Sequence, residues 1–417
     1  MRFWIRCVMV LSCALILSAC GSRPLLSKAS FAPDTISPNG DGVADATQIH
    51  YELSRKATLS IYLESSDGQR HYFRQANSRA PGVYDVLFGG VIDGRLLPDG
   101  QYKWIIEAAD ESGQSQSTDG QLTLSDGEST APQITGFTVL PKEFTPNQDG
   151  ISDRTQINIS LNKPASLYVT LQNILCNGST TSPKDQPMLD CAPYPMTEKE
   201  GSLRKAGEAG LHQFDYDAGV DQGADPPAGG NYVITARAED QVGQVTVATN
   251  TLTIVGGGIP RAEIVDGTVD FSADSLLVGQ TLYFTLTVEN YGPVPIRTSG
   301  PMPGYVYTDT TNYNVPGFAE ESGAWRVAID FDTSLRNYPF RWAVGGPNDL
   351  TVVTDTNGAR YYYLAAGKKV QVTGGILITH KPPRDPLYFW AGLIHEDVEI
   401  TDINNRVDPH FITIDQP

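Results

Sequence analysis

Basic charge is scarce in this chain. Its 30 Lys+Arg face 48 Asp+Glu, for a net charge of −18. That balance excludes a nucleic-acid binder built on a basic footprint, because phosphate neutralisation needs clustered Lys and Arg. It also disfavours electrostatic docking on anionic lipid. Long apolar runs are missing after the first twenty residues, and so is any convincing long amphipathic helix. The six His are scattered, with no His-x-His or His-Glu-x-x-His spacing. A Gly-x-Ser-x-Gly elbow, a phosphate-binding loop and a dinucleotide fingerprint are all absent. His395-Glu396-Asp397 is no metal trio on a strand, where neighbours point to opposite faces. Cysteine is sparse at five, and three of those fall within the first twenty residues.

The N-terminus explains those three. Arg2 and Arg6 precede an apolar run, Cys7 to Leu17, and then Leu17-Ser18-Ala19-Cys20. Basic, apolar and small-residue regions in that order read as a secretion signal covering residues 1–19. The run is shorter than the roughly 20 apolar residues that span a bilayer. Leu17-Ser-Ala-Cys20 resembles the bacterial lipobox. The resemblance implies cleavage before Cys20, lipid on its sulfur, and a chain exported and anchored to the outer face of the cell membrane or to the outer membrane. Residues 20–30 then read as a tether. The remaining pair, Cys176 and Cys191, is expected as a disulfide in an oxidising compartment.

What is abundant is turn chemistry, with 40 Gly and 28 Pro, between short segments of alternating apolar residues. The segments repeat. Ser37-Pro-Asn-Gly-Asp-Gly-Val-Ala-Asp45, running on to Leu53, returns as Thr145-Pro-Asn-Gln-Asp-Gly-Ile-Ser-Asp153, running on to Leu161. Ala57, Leu59, Ile61 and Leu63 match Ala165, Leu167, Val169 and Leu171 at the same offset of 108. Further on, Gly100-Gln-Tyr102 matches Gly230-Asn-Tyr232, and Asp110, Gly113 and Gln114 match Asp240, Gly243 and Gln244, at an offset of 130. The second copy is therefore 22 residues longer. Its cysteine pair falls in that insertion, near 172–195, as a staple for a segment with little core of its own.

Period-two patterning and frequent turns predict an all-β chain of three tandem immunoglobulin-like β-sandwiches. The expected bounds are 31–129, 130–256 and 262–417, with a Gly-rich linker at 257–261. The Pro-Asn-Gly-Asp-Gly opening and the Leu97-Pro-Asp-Gly-Gln-Tyr-Lys-Trp-Ile-Ile-Glu-Ala-Ala-Asp110 close resemble the immunoglobulin-like modules of flagellar hook-capping proteins and of gliding-motility C-terminal modules. Val278–Gly292 and Ala391–Val407 resemble the first and last strands of the bacterial cell-adhesion-related (CARDB) domain. Residues 295–390 are longer and more aromatic than that pattern.

Two features are candidates for chemistry. In the repeated loops, Asn39, Asp41 and Asp45, and Asn147, Asp149 and Asp153, have the spacing of the middle of a calcium loop, with a glycine at the bend. Ser37 or Thr145 stands at the first ligand position, and Gln48 or Gln156 at the twelfth, where Glu would complete the charge. The alternative is that Asn and Asp bond their own backbone and shape the loop, or form inter-domain contacts. In the third domain, Trp325, Tyr338, Trp342 and Tyr362 are candidates for an exposed stacking surface, the alternative being sandwich core. The functional expectation is a non-enzymatic adhesion or binding protein, whose partners are the membrane, through lipid on Cys20, and a protein or glycan at the cell surface. An envelope scaffold subunit and a carbohydrate-active enzyme with unidentified carboxylates are the alternatives.

Overall fold

The structure, a computed structural model, describes residues 23–185, 189–199 and 207–416. The expected signal and Cys20 lie outside the described residues. Among those described, the chain is all-β: strands joined by turns and four three-residue 3-10 segments, with no α-helix. Among the described residues no helix is long and apolar enough to cross a membrane.

The first immunoglobulin-like sandwich faces a three-stranded sheet, Leu26–Ala32, Thr47–Leu53 and Gly82–Phe88, against a five-stranded one. The latter runs in the order Thr35–Ile36, Ser115–Leu124, Gly100–Asp110, Ala57–Glu64, Arg70–Arg79. Alternation decides what faces in: Ile49, Tyr51 and Leu53 from one sheet, and Leu59, Ile61, Leu63 and Trp104 from the other, share one core. Phe31 stacks on Trp104 with ring centroids 4.7 Å apart. Leu25 and Leu26 are buried in this core. The sandwich therefore begins earlier than residue 31, and the expected 20–30 tether is shorter, because the apolar pair is drawn out of water.

The second sandwich repeats that order: Ile134–Leu140, Thr155–Leu161 and Gly210–Tyr216, then Glu143–Phe144, Val245–Ile254, Gly230–Glu239, Ser166–Asn173 and Tyr194–Met196. Details recur with the sequence. The hydroxyls of Thr47 and Thr155 donate to the carbonyls of Pro33 and Pro141. Those of Tyr102 and Tyr232 donate to the carbonyls of Pro98 and Ala228, each four residues back, the corner bond typical of immunoglobulin-like sandwiches. The insertion replaces the ten-residue edge strand Arg70–Arg79 with three-residue Tyr194–Met196. Beside it Cys176 and Cys191 are joined, with Cα atoms 5.6 Å apart.

The third sandwich is larger. One sheet holds Ala262–Ile264, Thr281–Asn290, Lys369–Leu377 and Val306–Thr308, with Asp270–Phe271 pairing alongside. The facing sheet has eight strands, centred on Trp325–Phe331 and Leu387–His395. The aromatic middle supplies much of its core: Tyr307, Tyr313, Trp325, Phe340 and Trp342. Residues 257–261 are not a free linker. A Cβ on Gly257 would press on Pro146 and Pro226, and one on Gly258 on Pro293 and Val294.

Candidate functional site: the repeated loops and the module joints

The two Asn-x-Asp-Gly loops are tied by closely similar side-chain bonds. In the first, Asn39 Oδ1 accepts from Asp41 N at 3.0 Å and Asp41 Oδ1 from Val43 N at 2.8 Å. Asp45 takes three backbone amides, those of Asn39, Gly40 and Gly42, at 2.7 to 3.1 Å. In the second, Asn147 Oδ1 accepts from Asp149 N, and Asp149 Oδ1 from Ile151 N. Asp153 takes the amides of Asn147, Asp149 and Gly150. Gly42 and Gly150 sit at φ +84° and +80°, the left-handed turn their position demands. The polar pattern thus works as a loop-shaping knot. Among the described residues no group of three His, Cys, Asp or Glu side chains is arranged to hold a metal ion.

Each knot meets the following sandwich. At the first joint, the Gly40 Cα faces Gln241, whose Oε1 would lie 2.8 Å from an added Cβ. Val245 N donates to Gly94 O at 2.9 Å, and Arg95 donates to Val245 O. Buried Gln244 reaches back, its Oε1 accepting from Leu96 N and its Nε2 donating to Glu128 O. At the second joint, Arg297 of the third sandwich donates through Nε to Asp149 O and through an Nη to Ser322 O. Tyr363 donates to Asp149 Oδ2 at 2.9 Å. His395 Nε2 lies 2.8 Å from the Gln148 carbonyl, which fixes the proton on Nε2. The backbones are in direct contact: a Cβ on Gly150 would overlap the Ser322 carbonyl, and one on Gly323 would overlap the Asp149–Gly150 peptide.

The electrostatics of the joints differ. Asp41 is exposed; Asp149 is 6% exposed. The slight burial of Asp45 pushes its pKa up, but three backbone amides outweigh it and hold the carboxyl below its ordinary value. Asp153 also takes three backbone amides, yet burial first, and then the charge of Asp149, raise it to about 6. Burial likewise raises Tyr363, helped by Asp149. It drives His395 down to about 4, against hydrogen bonds to the Gln148 and Gly323 backbone.

Behind the second joint lies a buried charge cluster. Arg341 Nη1 binds both oxygens of Glu396 at 2.7 and 2.8 Å, and Arg326 Nη1 approaches Glu396 at 3.2 Å. Arg326 also donates to the carbonyls of Ser299 and Ala319. His395 and Glu396 do point apart, one to the joint and one to the arginines. Such a cluster fixes geometry more than it adds net stability, since desolvation offsets attraction. Nothing local in the sequence marked Arg297, Arg326 or Arg341: Asp149 is far along the chain from Arg297, and Glu396 is far from the other two.

The aromatic candidates are mostly interior. Trp325, Tyr338 and Trp342 are buried, and Tyr362 is half-buried against the core. Trp342 packs edge-on to Phe284 and Tyr307, with Nε1 donating to Tyr305 O. Trp325 stacks on His395 with centroids 4.4 Å apart. Tyr338 bonds Asn405 and the Arg406 amide. None of these three offers a face to a ligand, because large rings on inward strand positions gain most by leaving water. The third-domain tyrosines that do reach solvent are Tyr283, 52% exposed, with Tyr291 and Tyr305. Tyr283 sits opposite Gly375 and its ring lies across that glycine.

Carboxylates gather in one cavity of the second sandwich, of about 580 Å³, lined by Asp215, Asp217 and Asp225. Arg154 pairs there with Asp215 and Asp217, and also with Asp221. A narrower cleft of about 290 Å³ in the third sandwich is walled by Phe331, Phe340 and Phe389.

No family model and no curated protein matches the chain. Among solved structures it is similar to an alpha-2-macroglobulin of Escherichia coli, at 12% identity and a TM-score of 0.20, over 94% of this chain and 23% of that one. The chain thus spans about a quarter of that protein. It is also similar to a Ca²⁺-stabilized adhesin of an Antarctic bacterium that binds ice, at 12% identity and 0.22, over 94% and 74%. Domains A168–A170 of titin match at 13% identity and 0.25, over 89% and 93%.

Proposed function

We propose that this chain is a lipid-anchored surface protein in which two repeated sandwiches form a stiff stalk and the third is a non-enzymatic binding head. The observation that carries the reading is that each repeated loop is packed against the next sandwich. Direct backbone contact at Gly150 and Gly323 leaves little room for hinge motion there. A stalk of this kind holds a contact surface away from the membrane, and lipid on Cys20 supplies the anchor. The partner is a surface glycan or protein. The contact surface we assign is the outer face around Tyr283 and Tyr305, since an exposed ring on a sheet face offers stacking area at little entropic cost.

The anchor is tested by labelled palmitate uptake in cells, expected in the full chain and lost in Cys20→Ala. The head is tested on glycan arrays and on intact cells. Tyr283→Ala should abolish binding without lowering the melting temperature, whereas Trp342→Ala should unfold the head, at a cost of about 3–5 kcal/mol. Binding that survives Tyr283→Ala overturns the assignment of the surface.

A further inference from the structure

The internal repeat makes the first joint a template for a surface elsewhere in the same molecule. In the second sandwich the turn Asp240–Gln244 docks on the first sandwich. The turn is built by Asp240 N to Gln244 O at 3.1 Å, Gly243 N to Asp240 O at 3.0 Å and Gln244 N to Asp240 Oδ1 at 2.9 Å. Lys163 braces Asp240 at 3.1 Å. The repeat-equivalent turn of the first sandwich is built the same way. Asp110 N bonds Gln114 O at 2.9 Å, Gly113 N bonds Asp110 O at 3.0 Å, and Gln114 N bonds Asp110 Oδ1 at 2.9 Å. Arg55, at the position of Lys163, braces Asp110 at 2.7 Å. Here Glu111, Ser112, Gly113, Gln114 and Ser115 are all exposed, and no described residue covers them as the first sandwich covers Gln244.

We infer that the turn Asp110–Gln114 is a docking surface for a β-sandwich module of another protein, one that presents an Asn-x-Asp-Gly loop. The dock would reproduce the first joint around a Gln114 whose Oε1 already accepts from Arg55: a backbone N–H of the partner on the second lone pair of that oxygen, as Leu96 N binds Gln244, and a partner carbonyl on Nε2, as Glu128 O does. A second copy of this chain does not fit, because both of its own loops are covered, Gly40 by Gln241 and Gly150 by Ser322. The substitutions at the rim set the strength. Gln241, Val242 and Val245 of the permanent joint are replaced by Glu111, Ser112 and Ser115. Loss of two apolar contacts makes a surface that is stable in water when free and separable when bound. The inference goes beyond the binding-head reading and uses the opposite end of the molecule.

The experiment is site-specific photocrosslinking of the full chain in its own cells, with the photoreactive residue at Ser112 and, as control, at Gln69 on a distant hairpin. The expected result is a product specific to position 112. The partner peptide, identified by mass spectrometry, should contain an Asn-x-Asp-Gly loop, and the product should be lost in Gln114→Ala. That variant loses only one exposed bond, from Arg55 to Gln114 Oε1, while Arg55 keeps Asp110, so it should melt within a degree or two of the parent. No product specific to 112, a partner peptide from any other kind of segment, or a product undiminished in Gln114→Ala overturns the inference. None of these outcomes bears on Cys20 or Tyr283, so failure here is distinguishable from failure of the binding-head reading.

Discussion

The loops at Ser37–Asp45 and Thr145–Asp153 share their sequence pattern and most of their internal hydrogen bonds, and still end in opposite electrostatic states. Asp45 is held below the ordinary carboxyl range in a solvated loop. Asp153, with three amide bonds of its own, is held near 6, because burial at the second joint sets it beside Asp149. The knot is local and the environment is not. The same contrast governs the neighbours: the first loop meets the flexible side chain of Gln241, the second meets backbone at Ser322 and Gly323. One joint can yield by rotating a side chain; the other has to separate.

The largest expected break in this comparison comes from glycine. Gly323→Ala, at φ +79° and against the Asp149–Gly150 peptide, should open the second joint, visible by small-angle X-ray scattering as a longer, more variable particle. Gly40→Ala, also at positive φ, should cost only about 1 kcal/mol and leave the scattering profile unchanged. If both variants scatter alike, the two joints are not different in kind. Next is Arg297→Ala, which strips donors from the Asp149 and Ser322 carbonyls and should cost about 2–3 kcal/mol in denaturant melts. Arg95→Ala at the exposed first joint should cost under about 1 kcal/mol.

A smaller, sharper effect is pH dependence. The raised pKa of Asp153 makes a contribution to stability that is full below about pH 4 and is lost as pH rises through 6. The lowered pKa of His395 acts the other way: its contribution is full above about 6.5 and is lost as pH falls towards 4. The two oppose each other between pH 4 and 6. His395→Gln should remove one of them, so that stability of the variant rises on acidification from 6 to 4 more than in the parent. Carbon-detected carboxyl titration should find Asp153 near 6 and Asp45 below its ordinary value. The smallest effect is expected from chelation. With the loop oxygens already on backbone amides, EDTA should leave the melting temperature unchanged, whereas a fall of several degrees would restore calcium to the loops.

Much of the architecture is legible in the sequence alone. Alternation in Thr47–Leu53 and Ala57–Glu64 is a property of adjacent residues, and an internal repeat carries its topology with it. The Cys176–Cys191 bridge was legible because these are the two cysteines that remain after the three within the first twenty residues are set aside. The aromatic surface was not. Trp325, Trp342 and Tyr338 are favoured both on sheet faces and in sheet cores, and only the facing sheet decides which. Tyr283 carried no mark of its own, since its exposure comes from standing outward opposite Gly375.

By itself, then, the sequence determined the all-β class, the duplicated sandwich and the knot inside each Asn-x-Asp-Gly loop, because each rests on contacts between residues near in the chain or repeated along it. Only the tertiary structure decided that each knot closes a joint and that one copy is buried with Asp149 beside Arg297 while the other stays wet. Burial and charge pairing across sandwiches depend on residues some 150 positions away, and no local pattern records which of them will arrive.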